Sequence, residues 1–257
     1  MTILRKQNHE NQSNVSNCNS SGMISRTITR NLLRSNRILR NRQVDHAVCI
    51  DIECTCDSPV QIRPMEIIEI ACLKLDLVTP KQENNSPKNQ SFHSFVRPVI
   101  NPKLTLFCQE LTGVTQSIVD RSQTIEVVID ELLEWLSGQQ LIDSQLNSRE
   151  NFAFASCGNF DLNLLSPLVE AHRFNDKELP NYFREWINVK KTFVTHKGQW
   201  PRGLYHMLEI LGEEPFGRLH SAIDDCSNLA KVVQSLQSEG CTFHLTSRLS
   251  ETNQTAV

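Results

Sequence analysis

The 257-residue chain lacks any run of about 18 apolar residues, which excludes a transmembrane helix. It also lacks a basic n-region followed by an apolar h-region, so no secretory signal is expected. CxxC pairs are missing too, although cysteines stand at positions 18, 49, 54, 56, 72, 108, 157, 226 and 241. Their scatter argues against a zinc ribbon or a disulfide framework and suits reduced thiols inside a cell. Cys54 and Cys56 are close enough to touch one metal, but cysteine is among the most buried residue types, and core packing is the simpler expectation. No internal repeat is visible.

Positive charge is scarce over most of the chain. Residues 1–45 hold eight basic side chains against two acids, a balance of +6, while the remaining 212 residues carry −9 of the total −3. A folded part this acidic is not drawn to a polyanion by bulk charge. Any such substrate must be met by local basic groups or by bound cations.

Apolar residues are also missing from QNHENQSNVSNCNSSG, residues 7–22, which should be disordered. Residues 23–42 differ: on a helical wheel Ile24, Ile28, Leu32 and Leu39 gather opposite Arg26, Arg30, Arg34 and Arg37. A solvated arm, a mitochondrial presequence and a phosphate-binding arm all fit this pattern. The location is accordingly read as intracellular, in cytoplasm or nucleus, or in the mitochondrion if the arm is a presequence. The division is an arm at 1–44, one folded domain at 45–246 and a tail at 247–257.

What is present reads as an α/β domain. HAVCIDIEC and residues 66–76 are β-branched strands, 91–99 is a third after the polar connection TPKQENNSPKNQ, 152–158 a fourth, and CTFHLT a short fifth. Helices are predicted at 124–138, 160–174, 181–193, 202–211 and 222–238; Thr124 should cap the first and Gly138 end it.

The stretch DIECTCD places Asp51 and Glu53 two residues apart on a strand, hence on one face. Such a pair is unfavourable unless water, protons or a cation intervene. Asp161 follows the strand FAFASCG, at the carboxyl end where α/β folds build sites. Asp225 falls in the first turns of the last helix, and His220 on the loop before it. Four carboxylates suit hard cations such as Mg²⁺, and an imidazole that titrates near neutral pH suits a general base. Two divalent ions could activate water and stabilise a leaving oxygen in phosphodiester hydrolysis. Taken singly, Asp161 also fits a helix N-terminal acid and His220 a surface histidine.

The ordered pieces DIECTCD, PMEIIEI, FVRPVINPKL, FCQELTGVTQ, CGNFDL, WINVKKTF, GLYHMLEILG and GRLHSAIDDCSNLA resemble the DEDDh 3′-to-5′ exonucleases, in the branch of the histone-mRNA 3′ exonuclease and the Snipper and prion-interactor types. The resemblance spans about 45–246. It implies a ribonuclease H-like mixed five-stranded sheet flanked by helices. It also implies two Mg²⁺ or Mn²⁺ ions on Asp51, Glu53, Asp161 and Asp225, with Glu53 and His220 catalytic and Asp224 a bystander. Terminal bases would stack on Phe107 and Phe160, and Cys54 would meet the last nucleotide where a small residue is usual. The implied partner is RNA with a single-stranded 3′ end, cleaved to nucleoside 5′-monophosphates. DNA, or RNA binding without turnover, are the alternatives. The histone-mRNA member carries a separate nucleic-acid-binding SAP domain before its nuclease, which is not expected in an arm this short and polar, so stem-loop specificity is not implied, and HSAIDD stands where the branch often has HSGIDD.

Overall fold

Alternation along one strand organises the fold. The structure is a computed structural model that describes residues 43–78, 90–175 and 177–249. The arm at 1–42, the connection at 79–89 and residues 250–257 of the tail lie outside the described residues. Strand β1, His46–Cys54, turns Val48, Ile50, Ile52 and Cys54 to one side and Ala47 and Cys49 to the other. The first side is large and aliphatic. The second is small, and small residues continue across it as Ala71, Ala153 and Ala155, so a helix can approach closely.

β1 pairs antiparallel with β2 (Ile67–Asp76), which pairs antiparallel with β3 (Ser91–Phe95). On its other edge β1 pairs parallel with β4 (Phe152–Ser156), and β4 with β5 (Glu185–Asn188). A two-residue β6, Ser247–Arg248, completes the order β3-β2-β1-β4-β5-β6. The mixed α/β sheet thus has six strands among the described residues, one more than expected.

Helices cover both faces. The short α1 (Leu106–Thr112) and α2 (Gln116–Val119) pack with Ile68 at one end of the sheet. On the aliphatic face lie α3 (Ile125–Gly138), α4 (Phe160–Arg173) and the single turn α5 (Asn181–Arg184). α3 buries Val128, Ile129, Leu132, Leu133 and Leu136, each contributing about 1.5–3 kcal/mol. On the small-residue face lie α6 (Val189–Lys197), α7 (Leu204–Leu211) and α8 (Ala222–Ser238). The Cys226 thiol of α8 donates to the Cys49 carbonyl at 3.3 Å, a measure of how close that helix comes.

Three local expectations change. The predicted helix 181–193 is split by β5, because pairing of Ile187 with Ala155 buries Trp186 and Ile187 in the sheet. CTFHLT is not a strand; His244 makes one bridge to Gln43, and pairing begins at Ser247, inside the expected tail. Thr124 occupies the N-cap position of α3 without a side-chain cap bond, and Gly138 is the last helical residue rather than the terminator, with Gln139 at the C-cap.

Candidate active site

The small-residue face of β1 continues past Cys49 as Asp51 and Glu53. β4 pairs with β1 only from His46 to Cys49, so the sheet parts beyond that point. Asp161, in the first turn of α4, fills the gap and accepts a hydrogen bond from the Ile52 amide. From the opposite side comes the first turn of α8. Asp225 accepts the His220 amide on Oδ2 at 3.0 Å and the Tyr205 hydroxyl on Oδ1 at 2.9 Å. The His220 imidazole stands with Nδ1 3.8 Å from Glu53 Oε1. Ligand atoms of Glu53, His220 and Asp225 all lie within 4.8 Å of one another.

The loop carrying His220 is held in an uncommon conformation. His220 has φ of 60°, in the left-handed region, where a residue with a Cβ is found mainly when its surroundings demand it. Two carboxylates supply that demand: Asp225 takes the His220 amide, and Asp224 takes the Arg218 amide at 2.9 Å. Gly217, with φ of 69°, lets Asp224 close in; a Cβ there would lie 2.2 Å from its Cγ. Asp224 therefore braces the loop, while Asp225 faces the cleft.

The electrostatics are those of crowded acids. Burial, then the charges of Asp161, Glu53 and Asp225, push the Asp51 carboxyl well above the usual range. Burial, then Asp225 and Glu69, push Glu53 up to about 8, against a small opposing effect of Arg218. Burial raises Asp161 to about 6 and also raises Asp225. Among the described residues no lysine or arginine forms a salt bridge with Asp51, Glu53, Asp161 or Asp225. Hard oxygen donors gathered without a salt-bridged cationic partner fit divalent cations, whose charge would replace the protons that burial otherwise holds there.

An open cleft of about 760 Å³ contains Asp51, Glu53, Asp161, His220 and Asp225. Phe160, 49% exposed at the start of α4, lines it beside Leu219, Lys190 and Arg202. Phe107 and Cys54 do not line it. Phe107 is 38% exposed on α1, and the Cys54 side chain packs in the aliphatic core while its carbonyl accepts from the Cys108 thiol at 3.6 Å. The cleft therefore receives no thiol from Cys54. Tyr205 and Glu69 belong to the site's surroundings and escaped the sequence reading. Glu69 carried a signal, a charge amid the apolar run IIEIAC, but its place opposite Glu53 depends on strand register.

A mixed sheet with carboxylates gathered at the parting of β1 and β4, and helices on both faces, defines a ribonuclease H-like nuclease fold. Residues 48–233 match the RNase_T exonuclease family, and the chain belongs to that family, in the branch of the histone-mRNA 3′ exonuclease. The family depends on divalent metal ions.

The chain is 38% identical over 200 residues to ERI1 exoribonuclease 3 of Mus musculus, covering 77% of this chain and 56% of that protein. It is 29% identical to mouse 3′-5′ exoribonuclease 1 over 210 residues, 80% of this chain and again 56% of the relative. The chain thus spans little more than half the length of these relatives. The nuclease domain of 3′hExo, a DEDDh member solved with rAMP, superposes with a TM-score of 0.67 at 26% identity, covering 80% of this chain and 98% of that one. Cell-death related nuclease 4 gives 0.64 at 27%, covering 78% and 66%.

Proposed function

We propose that the chain is a metal-dependent 3′-to-5′ exoribonuclease that releases nucleoside 5′-monophosphates from single-stranded RNA ends. The observation that carries this reading is the meeting of Asp51, Glu53, Asp161 and Asp225, from three separate elements, around one open cleft with His220 at its edge. The relatives named exoribonucleases support RNA as the substrate.

Asp51, Glu53, Asp161 and Asp225 would hold two Mg²⁺ or Mn²⁺ ions, which supply activation of water and neutralisation of phosphoryl charge when bound. His220 stands on the solvent side of Glu53, with a half-exposed ring free to accept a proton from an incoming water. The hydrogen bond that its backbone N–H donates to Asp225 keeps the ring's anchor fixed while the ring itself stays accessible. Phe160 offers a face on which any terminal base can stack, worth about 1–3 kcal/mol without sequence preference. Lys190 and Arg202 supply, on the same cleft, the local positive charge that the acidic domain lacks overall. Phe107, part-exposed on α1 outside the cleft lining, is the second stacking residue that the family resemblance proposes.

The test is incubation of the purified protein with 5′-labelled RNA and DNA single strands, with Mg²⁺ or Mn²⁺ and with chelator. The expected result is a ladder of shortened RNA, faster than any DNA ladder and abolished by chelator. Glu53→Gln should lower kcat roughly a thousandfold, the scale of several kcal/mol of lost charge stabilisation. His220→Ala should lower kcat more than it raises KM. A Glu53→Gln protein with wild-type turnover contradicts the reading.

A further inference from the structure

Glu69 is a carboxylate outside the acidic cage yet next to it. It stands on β2 directly opposite Glu53 and is only 2% exposed. A carboxylate this buried persists only when partners replace its lost water. Glu69 has two. Its Oε1 lies 2.7 Å from His93 Nε2 on β3, and its Oε2 accepts the Ala222 amide at 3.2 Å.

Ala222 is the first residue of α8. The leading N–H groups of a helix have no partner inside it and are commonly capped by the side chain just before the first turn. Ser221 occupies that position and makes no such bond. The helix is capped instead from the sheet, by a residue 153 positions earlier in the chain. This cap falls between His220 and Asp225, the two groups that must meet Glu53, and it comes from the strand position paired with Glu53 itself.

We propose that Glu69, steadied by His93, is a positioning residue that sets where α8 begins against β1 and so brings His220 and Asp225 to Glu53. The inference rests on the catalytic reading of those three residues. The core contacts of α8, such as Leu229, hold the helix on the sheet at large. Among the described residues, Cys226 ties the start of α8 to β1 at Cys49, and the Glu69 bond ties its first residue to the rung of the sheet that bears Glu53.

The test compares Glu69→Leu, which keeps most of the volume and removes both bonds, with Glu69→Gln, which keeps a carbonyl for Ala222 and an amide for His93. Leu229→Ala, buried further along the same helix, controls for lost stability. Glu69→Leu should lower kcat and Mn²⁺ affinity by calorimetry about 10- to 100-fold, the range seen when a ligand's supporting contact is removed. KM should stay within about twofold, and Glu69→Gln should recover kcat to within about threefold. Leu229→Ala, assayed below its melting temperature, should keep wild-type kcat. If Glu69→Leu keeps wild-type kcat and metal affinity, or if Glu69→Gln is as damaged as Glu69→Leu, the positioning role is overturned. Should the leucine variant not fold, the glutamine variant decides alone: retained turnover supports the hydrogen-bonded tether, and its loss refutes it. Amide exchange at Ala222 in the metal-free protein should be slow in wild type and fast in Glu69→Leu. That readout needs neither metal nor turnover, so an inactive wild type would sink the nuclease reading while leaving the tether itself measurable.

Discussion

Asp225 shows how much of the site hangs on single contacts. Both of its oxygens accept hydrogen bonds, one from the His220 amide and one from the Tyr205 hydroxyl. The tyrosine thus fixes the plane of a carboxylate that would hold a cation, and in turn burial and then the Asp225 carboxylate push the phenol's pKa above its usual value. Tyr205→Phe removes only the donor. It should weaken Mn²⁺ binding about tenfold, measured by calorimetry, with the melting temperature of the metal-free protein little changed. Unaltered affinity would mean that α8 alone orients Asp225. The acids were legible because each ends a strand or opens a helix in a recognisable motif, and His220 because it stands on the loop just before such a helix. Tyr205 was not, because an aromatic on an amphipathic helix reads as core until the neighbouring helix is placed beside it.

At the level of elements, the loop between α7 and α8 converts helix packing into a site. Gly217 and His220 both take left-handed conformations; Asp224 accepts the Arg218 amide just after Gly217, and Asp225 accepts the amide of His220 itself. Gly217→Ala should cost about 1–2 kcal/mol, since a left-handed residue gains a Cβ that meets Asp224. A lower melting temperature together with a fall in kcat is expected; a fall in stability with kcat unchanged would separate the loop from catalysis. Strand and helix periodicity located β1, β2, α4, α7 and α8 closely. It failed at residues 181–193, where apolar spacing suits a helix but nonlocal pairing of Ile187 with Ala155 forms β5. It also misplaced the last strand, because β6 is only two residues long and is defined by its partner Glu185–Trp186 rather than by its own sequence. The split of large and small residues between the two faces of β1 was present in HAVCIDIEC, but which face receives α8 became clear only from the packing.

For the whole molecule, a domain with −9 beyond residue 45 concentrates several of its acids in one cleft. In the metal-free protein this arrangement opposes folding as pH rises. Glu53 holds its proton up to about 8, whereas the unfolded chain releases it near 4.5, and Asp161 behaves likewise between 3.8 and about 6. The folded state therefore binds more protons than the unfolded state in that window, and the stability present below about pH 4.5 is lost progressively up to about pH 8. Thermal melts in chelator should show the melting temperature falling by several degrees across the window. Saturating Mn²⁺ should remove or reverse that slope, because ligands bind metal only in their deprotonated form. A flat profile in chelator would mean that the acids do not crowd one another. The most direct measurement of the central claim is titration calorimetry with Mn²⁺ at pH 8 on the wild-type chain and on Asp51→Asn. Uptake of two ions is expected for the wild type and loss of at least one for the variant, with proton release on binding. No uptake by a folded wild-type chain, or uptake that Asp51→Asn leaves unchanged, would contradict it.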